Sequence, residues 1–288
     1  MPLAAETWSF IHRLRRKFGR PGIETWGDAQ KEWIRAHAPG RSFADIGGLY
    51  MKEGEYAFVA EEAGATAVTE FDVGDPDLSM YATHHKERGS SVRFVQGDLE
   101  DPESVREIGP HDVVWCTGVL YHTPNPVRQL MNLRELTREL LYLGTFTIPD
   151  IPGFPNACVY YPYLNDGERA PYAKGYRWAA DGGRTALGIG SPIDETPMRG
   201  LANCWWGISK SALWSMLRTA RFEVVEERRV HPSPYITELV ARPIEGDPLM
   251  PPPTYFRERG RARERDGTRL PFEDWYERQR ADAAPTGG

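Results

Sequence analysis

At 288 residues the chain has room for one large domain or two small ones, and for a core that needs no disulfides. Its three cysteines (Cys116, Cys158 and Cys204) are far apart and form no C-x-x-C pair, which argues against a disulfide framework or a zinc site and for a reducing, cytoplasmic setting. A net charge of −6 rules out a chain-wide polyanion-binding footprint, and no apolar run approaches a membrane span or a signal-peptide core.

Residues 1–40 carry helical patterns over Trp8–Lys17 and Asp28–Ala36, broken by Gly19-Arg20-Pro21-Gly22. Arg13, Arg15, Arg16 and Lys17 read as the solvated face of a helix packed through Trp8, Phe10, Ile11 and Leu14. The segment is expected to cap an α/β domain. Phe43–Ile46 then reads as a buried parallel strand, and Gly47-Gly48 as a turn that lets backbone approach a ligand. A helix over Glu53–Ala63 stops at Gly64, and the next strand, Ala65–Phe71, ends on Asp72. Ligands of open α/β sheets sit outside the carboxyl ends of strands, so the Gly47 turn and Asp72 should face one crevice. The loop lacks the G-x-G-x-x-G spacing that a dinucleotide pyrophosphate demands. A D-x-G turn with an acid about 25 residues on suits S-adenosylmethionine better, since that cofactor has no phosphate.

Asp75-Pro76-Asp77 is a turn, followed by a helix over Leu78–Lys86 in which His84 and His85 point to different faces and read as a surface pair. Val92–Val95 is the third strand, closed by Gln96-Gly97-Asp98-Leu99. There Asp98 either holds a base amino group or caps the helix starting near Pro102. His111–Cys116 is the fourth strand. Thr117–Pro124 turns into a helix over 125–137, and the fifth strand lies within Arg138–Ile148, before Pro149-Asp150. This alternation specifies a doubly wound sheet.

The motifs D-I-G-G at 45–48, the terminal Asp72, G-D-L at 97–99 and G-V-L-Y-H-T-P-N-P at 118–126 make the chain resemble the class I S-adenosylmethionine-dependent methyltransferases. Within them it resembles the branch that contains the tRNA uridine-5-oxyacetic acid (carboxymethyl) synthase. The likeness is good over 43–150 and weaker over 200–243. It departs in the glycine loop, which reaches its next glycine only at Gly54 where family members have D-x-G-x-x-x-G. The resemblance implies a seven-stranded Rossmann-like methyltransferase sheet with the last strand antiparallel. It also implies cofactor contacts at Asp45, Gly47, Gly48, Asp72, Asp98, Leu99, Thr117, Gly118 and Tyr121, with His122 near the transferring methyl. His122 stands at a strand's carboxyl end, where an imidazole can take a hydroxyl proton, and Asp150 is a second candidate base or a cation ligand. No dedicated metal site is expected.

Residues 151–200 are rich in Pro, Gly and Tyr and read as a lid inserted after the fifth strand. Tyr160, Tyr161, Trp205 and Trp206 are candidates for walls against a flat substrate or sugar ring. Trp205-Trp206-Gly207-Ile208-Ser209 reads as opening a helix, with Ser209 as its N-cap, and strands follow at Phe222–Arg229 and Tyr235–Ala241. The organisation expected is a helical cap (1–40), a methyltransferase domain (41–245) and a Pro/Arg-rich tail (246–288). The leading reading is methyl transfer from S-adenosylmethionine, ahead of carboxy-S-adenosylmethionine, to a small-molecule or glycan hydroxyl, with a homo-oligomer left open. Behind it stand transfer to a tRNA wobble uridine, for which Arg177, Arg184 and Arg199 are the basic candidates, and a cofactor-degenerate binding protein.

Overall fold

A computed structural model describes residues 26–49, 52–76, 80–161, 205–230 and 235–245. Within them the elements run α1 (Trp26–His37), β1 (Ser42–Ile46), α2 (Glu55–Glu62), β2 (Ala67–Asp72), α3 (Tyr81–Arg88), β3 (Arg93–Gln96), α4 (Pro102–Ile108) and β4 (His111–Thr117). After a single 3₁₀ turn (Leu120–His122) come α5 (Pro126–Leu136), β5 (Thr137–Phe146), β6 (Cys158–Tyr160), β7 (Trp206–Ile208), α6 (Lys210–Thr219), β8 (Phe222–Arg228) and β9 (Ile236–Pro243). Seven strands form one sheet in the order β3-β2-β1-β4-β5-β9-β8, parallel except for β9, which is antiparallel to both neighbours. This is the doubly wound sheet expected, with the last strand reversed.

Local chemistry sets the helix ends. Asp101 caps α4 by accepting from the N–H groups of Glu103 and Ser104, and Pro102 occupies the first helical position, where no N–H is needed. Ser209 caps α6 through the Ala212 N–H, and Gly89 stops α3 in the left-handed region at φ 59°. That glycine explains why the helix expected to end at Lys86 runs on to Arg88. His85 turns inward on it and bonds the Val92 carbonyl at 3.0 Å.

The sheet buries both faces, as parallel strands require. One face packs Ile46, Phe71, Cys116 and Leu143 against α4, α5 and α6. The other packs Phe43, Trp115 and Tyr142 against α1, α2 and α3, with Trp115 stacked on Tyr142 at 3.8 Å between ring centroids. α1 is seated by polar contacts the sequence did not announce. Glu238 on β9 accepts from Trp26 Nε1 (3.0 Å) and Gln30 Nε2 (2.5 Å), and Tyr56 on α2 donates to Gln30 Oε1. Burial pushes the Glu238 carboxyl above its ordinary pKa, and the two donors offset that.

The helix expected with Ser209 as its N-cap is present as α6, and residues 206–208, which lead into it, are a strand. They pair antiparallel with Cys158–Tyr160 as a ribbon apart from the main sheet. Most of the expected lid, the first part of the cap and the tail lie outside the described residues. Leu141 is fully buried in β5 between β4 and β9. Leu141→Ala should destabilise the fold by about 2–5 kcal/mol, read as a lower midpoint in urea.

Candidate functional site

The carboxyl ends of the parallel strands lie level, because Ile46 pairs with both Phe71 and Cys116, Asp72 with Gln96 and Thr117 with Gly144. At this edge β1 turns through Gly47, whose φ of 82° and whose contact with Val119 both forbid a side chain. The Gly47 N–H is tied to the Phe71 carbonyl at 2.7 Å. Gly48 N donates to Glu70 Oε1 at 3.1 Å, and Leu49 N to Asp72 Oδ2 at 3.0 Å. The other oxygen of Asp72 accepts from Gly74 N at 2.8 Å. Asp72 thus holds the turn in place and keeps a lone pair on each oxygen for a ligand hydroxyl. Asp45, Gly47, Gly48 and Asp72 come together as the sequence implied.

Glu70 completes this group and was missed. It is a fully buried acid in a buried strand, and its position inside an apolar run was the available signal. Asp45 lies opposite it in the strand register. Burial pushes the Asp45 carboxyl up to about 7, opposed by its hydrogen bonding with Glu70. Burial first, then the charge of Asp45, holds the Glu70 carboxyl well above the carboxylate range. Three acids under one turn repel a pyrophosphate and attract a cation.

On the far side of the turn, Asp98 is exposed and its Oδ1 accepts from Glu100 N at 2.8 Å. The helix cap is therefore Asp101, and the Asp98 side chain stays exposed beyond the end of β3. Leu99 is a correction: only 2% exposed, its side chain belongs to the core. Its carbonyl accepts from Asn132 Nδ2 at 2.7 Å, and Glu100 accepts from Thr123 Oγ1 and, at 2.8 Å, from Asn125 Nδ2. These long-range bonds, which the sequence did not disclose, stitch the loop after β3 to the turn after β4. In that turn Gly118 has φ 82°, and Thr117 accepts from Trp115 Nε1 at 3.2 Å. Tyr121 packs inward with Phe146, Ile148 and Tyr161, while His122 is exposed beside it, with ring centroids 4.2 Å apart.

The ribbon of β6 and β7 docks on this turn. Trp205 N donates to the Tyr121 carbonyl at 3.1 Å, and Trp206 Nε1 to the Pro124 carbonyl at 3.0 Å. Tyr160 is exposed and packs on Trp206 at 4.8 Å between ring centroids. Tyr161 is a second correction, since it is buried and Gly207 closes on its hydroxyl. Asp150 is a third. Its Oδ1 accepts from Ser211 N at 3.0 Å in the first turn of α6, a bond that holds its carboxyl below the ordinary pKa and makes it a poor base. Arg177, Arg184 and Arg199 lie outside the described residues. Among the described residues no group of three His, Cys, Asp or Glu is arranged to hold a metal.

The family described as "Methyltransferase domain" matches residues 51–143. The Burkholderia thailandensis protein named ubiquinone biosynthesis O-methyltransferase is 36% identical over 98 residues, which is 33% of this chain and 39% of that one. Its Vibrio parahaemolyticus namesake is 32% identical over 75 residues, 26% and 31% of the two chains. The match thus spans about a third of those relatives' length. Among solved structures, the Burkholderia thailandensis 1,6-didemethyltoxoflavin-N1-methyltransferase with S-adenosylhomocysteine bound is 18% identical at a TM-score of 0.50, covering 85% of this chain and 90% of that one. The N-terminal domain of EvdMO1 with S-adenosylhomocysteine bound is 17% identical at 0.50, covering 78% and 82%. At this identity these likenesses establish the shared fold.

Asn132→Ala would leave the Leu99 carbonyl buried and unpaired. The expected cost is about 1–3 kcal/mol in chemical denaturation, with faster hydrogen exchange around Leu99–Asp101.

Proposed function

We propose that the chain is a class I S-adenosylmethionine-dependent methyltransferase, a reading its sheet order and matched segment support, and that it transfers a methyl group from that cofactor to a hydroxyl of a small molecule. The observation that carries this is the Gly47-Gly48 turn clasped by Asp72 at adjacent strand ends, above a buried acidic floor. That donor set fits the cofactor. The turn gives close backbone approach, the spare lone pairs of Asp72 suit ribose hydroxyls, and the acids favour a ligand that carries ammonium and sulfonium charge. When bound, the cofactor supplies a methyl group already activated on sulfur.

What remains for the chain is to align the acceptor, exclude water and take a proton. His122 is the group we assign to the proton, because it is exposed at the carboxyl end of β4 while Asp150 is committed to α6. Tyr160, Trp205 and Trp206, set beside the same turn, would give a planar acceptor a surface to stack on. The names of the curated relatives, O-methyltransferases of ubiquinone biosynthesis, support an oxygen nucleophile on a small molecule. That support extends to neither a glycan nor a tRNA acceptor.

Isothermal titration with S-adenosylmethionine and S-adenosylhomocysteine should give micromolar binding, weakened tenfold or more by Asp72→Ala. No binding of either by the folded protein would overturn the proposal. With isotope-labelled S-adenosylmethionine and a panel of small phenols, His122→Ala should lower turnover by about 10²–10⁴-fold while leaving S-adenosylhomocysteine affinity unchanged.

A further inference from the structure

Two carboxyls meet beneath the glycine turn. Asp45 and Glu70, 1% and 0% exposed, sit on neighbouring strands at paired positions. A Cβ placed on Gly48 would stand 2.5 Å from Asp45 Oδ2, 2.5 Å from Glu70 Oε1 and 2.7 Å from Glu70 Oε2, so both groups close on the underside of one backbone position. Glu70 Oε1 accepts the Gly48 N–H, but Asp45 Oδ2 and Glu70 Oε2 meet no N–H or hydroxyl donor. Two buried carboxylates left ionised and facing each other would be costly, whereas one proton between them satisfies both oxygens.

The surrounding groups do not supply that proton's equivalent. Asp72 at the end of β2 adds a third negative charge. Lys52 before α2 faces Asp45, but it lies over the rings of Trp26 and Tyr56 and 3.8 Å from Glu55. Tyr56 on α2 gives its hydroxyl to Gln30, and burial holds its proton, that of Tyr81 on α3 and that of Cys116 on β4 above their ordinary pKa values. The Ala57 backbone N–H reaches Asp45 as a hydrogen bond.

Resting on the cofactor reading above, we propose that Glu70 is a positioning residue for the cofactor: through one proton shared with Asp45 it holds the Gly47-Gly48 turn in its binding shape, and cofactor affinity falls as that proton leaves. The loop has no glycine between Gly48 and Gly54, so this turn depends on side chains beneath it for its shape. Once the pair is doubly ionised, the two carboxylates repel, Glu70 withdraws from the Gly48 N–H and the turn loosens. Burial pushes Asp45 up to about 7 and, with the charge of Asp45, holds Glu70 well above the carboxylate range, so the pair keeps its last proton at neutral pH and loses it only at higher pH. Because both carboxyls bind their protons more tightly in the folded chain than in the unfolded one, stability also falls as pH climbs from the ordinary carboxyl range through about 7, where Asp45 ionises, and further as Glu70 follows.

The test titrates S-adenosylhomocysteine into wild type, Glu70→Gln and Glu70→Ala by calorimetry from pH 6 upward to the alkaline limit of the folded protein, and records infrared spectra of the cofactor-free proteins over the same range. Wild-type Kd should rise about tenfold for each pH unit above the transition. Glu70→Gln keeps the acceptor for Gly48 and donates to Asp45 without titrating, so its Kd should stay flat and close to the wild-type value at pH 6. Glu70→Ala should bind weakly throughout. A protonated-carboxyl band that persists through neutral pH, disappears at higher pH in wild type and is missing there in Glu70→Gln supports the shared proton. A flat wild-type Kd, a Kd that falls with pH, a wild-type slope retained in Glu70→Gln, or no titrating band would each overturn the proposal. If S-adenosylhomocysteine binds at no pH while the band titrates as described, the cofactor reading fails and the shared proton stands.

Discussion

One turn with no room for side chains, closed over buried acids, organises this molecule. Gly47 is pressed against Val119 and Gly48 against Asp45 and Glu70, so β1 can end only in bare backbone. The loop's N–H groups then need acceptors, and the end of β2 provides them in Glu70 and Asp72. The strand register makes this possible, because Asp45 and Glu70 are direct neighbours and Asp72 lies one step beyond Ile46 and Phe71. Acids in a buried strand are expensive to keep. Here they buttress the backbone that approaches a ligand and give the crevice the sign of charge that a cationic ligand favours.

The rest of the crevice is built around that turn by contacts between distant parts of the chain. Asn132 on α5 holds the Leu99 carbonyl, and Thr123 and Asn125 hold Glu100, so the loops after β3 and β4 behave as one wall. The ribbon of β6 and β7 hangs on the Tyr121–Pro124 turn through Trp205 and Trp206. On the opposite face α1 is anchored to β9 through Glu238 across 212 residues of sequence. A site assembled this way is rigid where the strands end and open to variation in the segments that follow, which is how one fold hosts many acceptors.

Local pattern made much of this legible in advance. The alternation of strand and helix, the glycine turn and the acid closing β2 follow from residue type and short-range geometry, so the sheet and the core of the crevice could be read directly. The same kind of reading failed for Leu99, Tyr161 and Asp150. An apolar residue after a strand can face a ligand or the core, and Leu99 faces the core because α5 and β4 close over it. Asp150 sits at the correct strand end for a base, yet the amino end of α6 comes close enough to claim its carboxylate. Trp206-Gly207-Ile208 looked like a helix entrance because its strand partner, Cys158–Tyr160, lies some fifty residues earlier, beyond the reach of any local signal.

The sequence by itself determined the order of elements, the positions of the tight turns and the gathering of Asp45, Gly47, Gly48 and Asp72 at adjacent strand ends, since these depend on backbone freedom and on the spacing of apolar and polar residues. Tertiary structure alone decided which carboxyl does what. Asp72 braces a loop, Asp150 anchors a helix, Glu238 seats α1, and Asp45 and Glu70 are pushed together in the dark of the sheet. A carboxyl's role is set by its burial and by the donors or charges that reach it, and those come from elements far away in the chain.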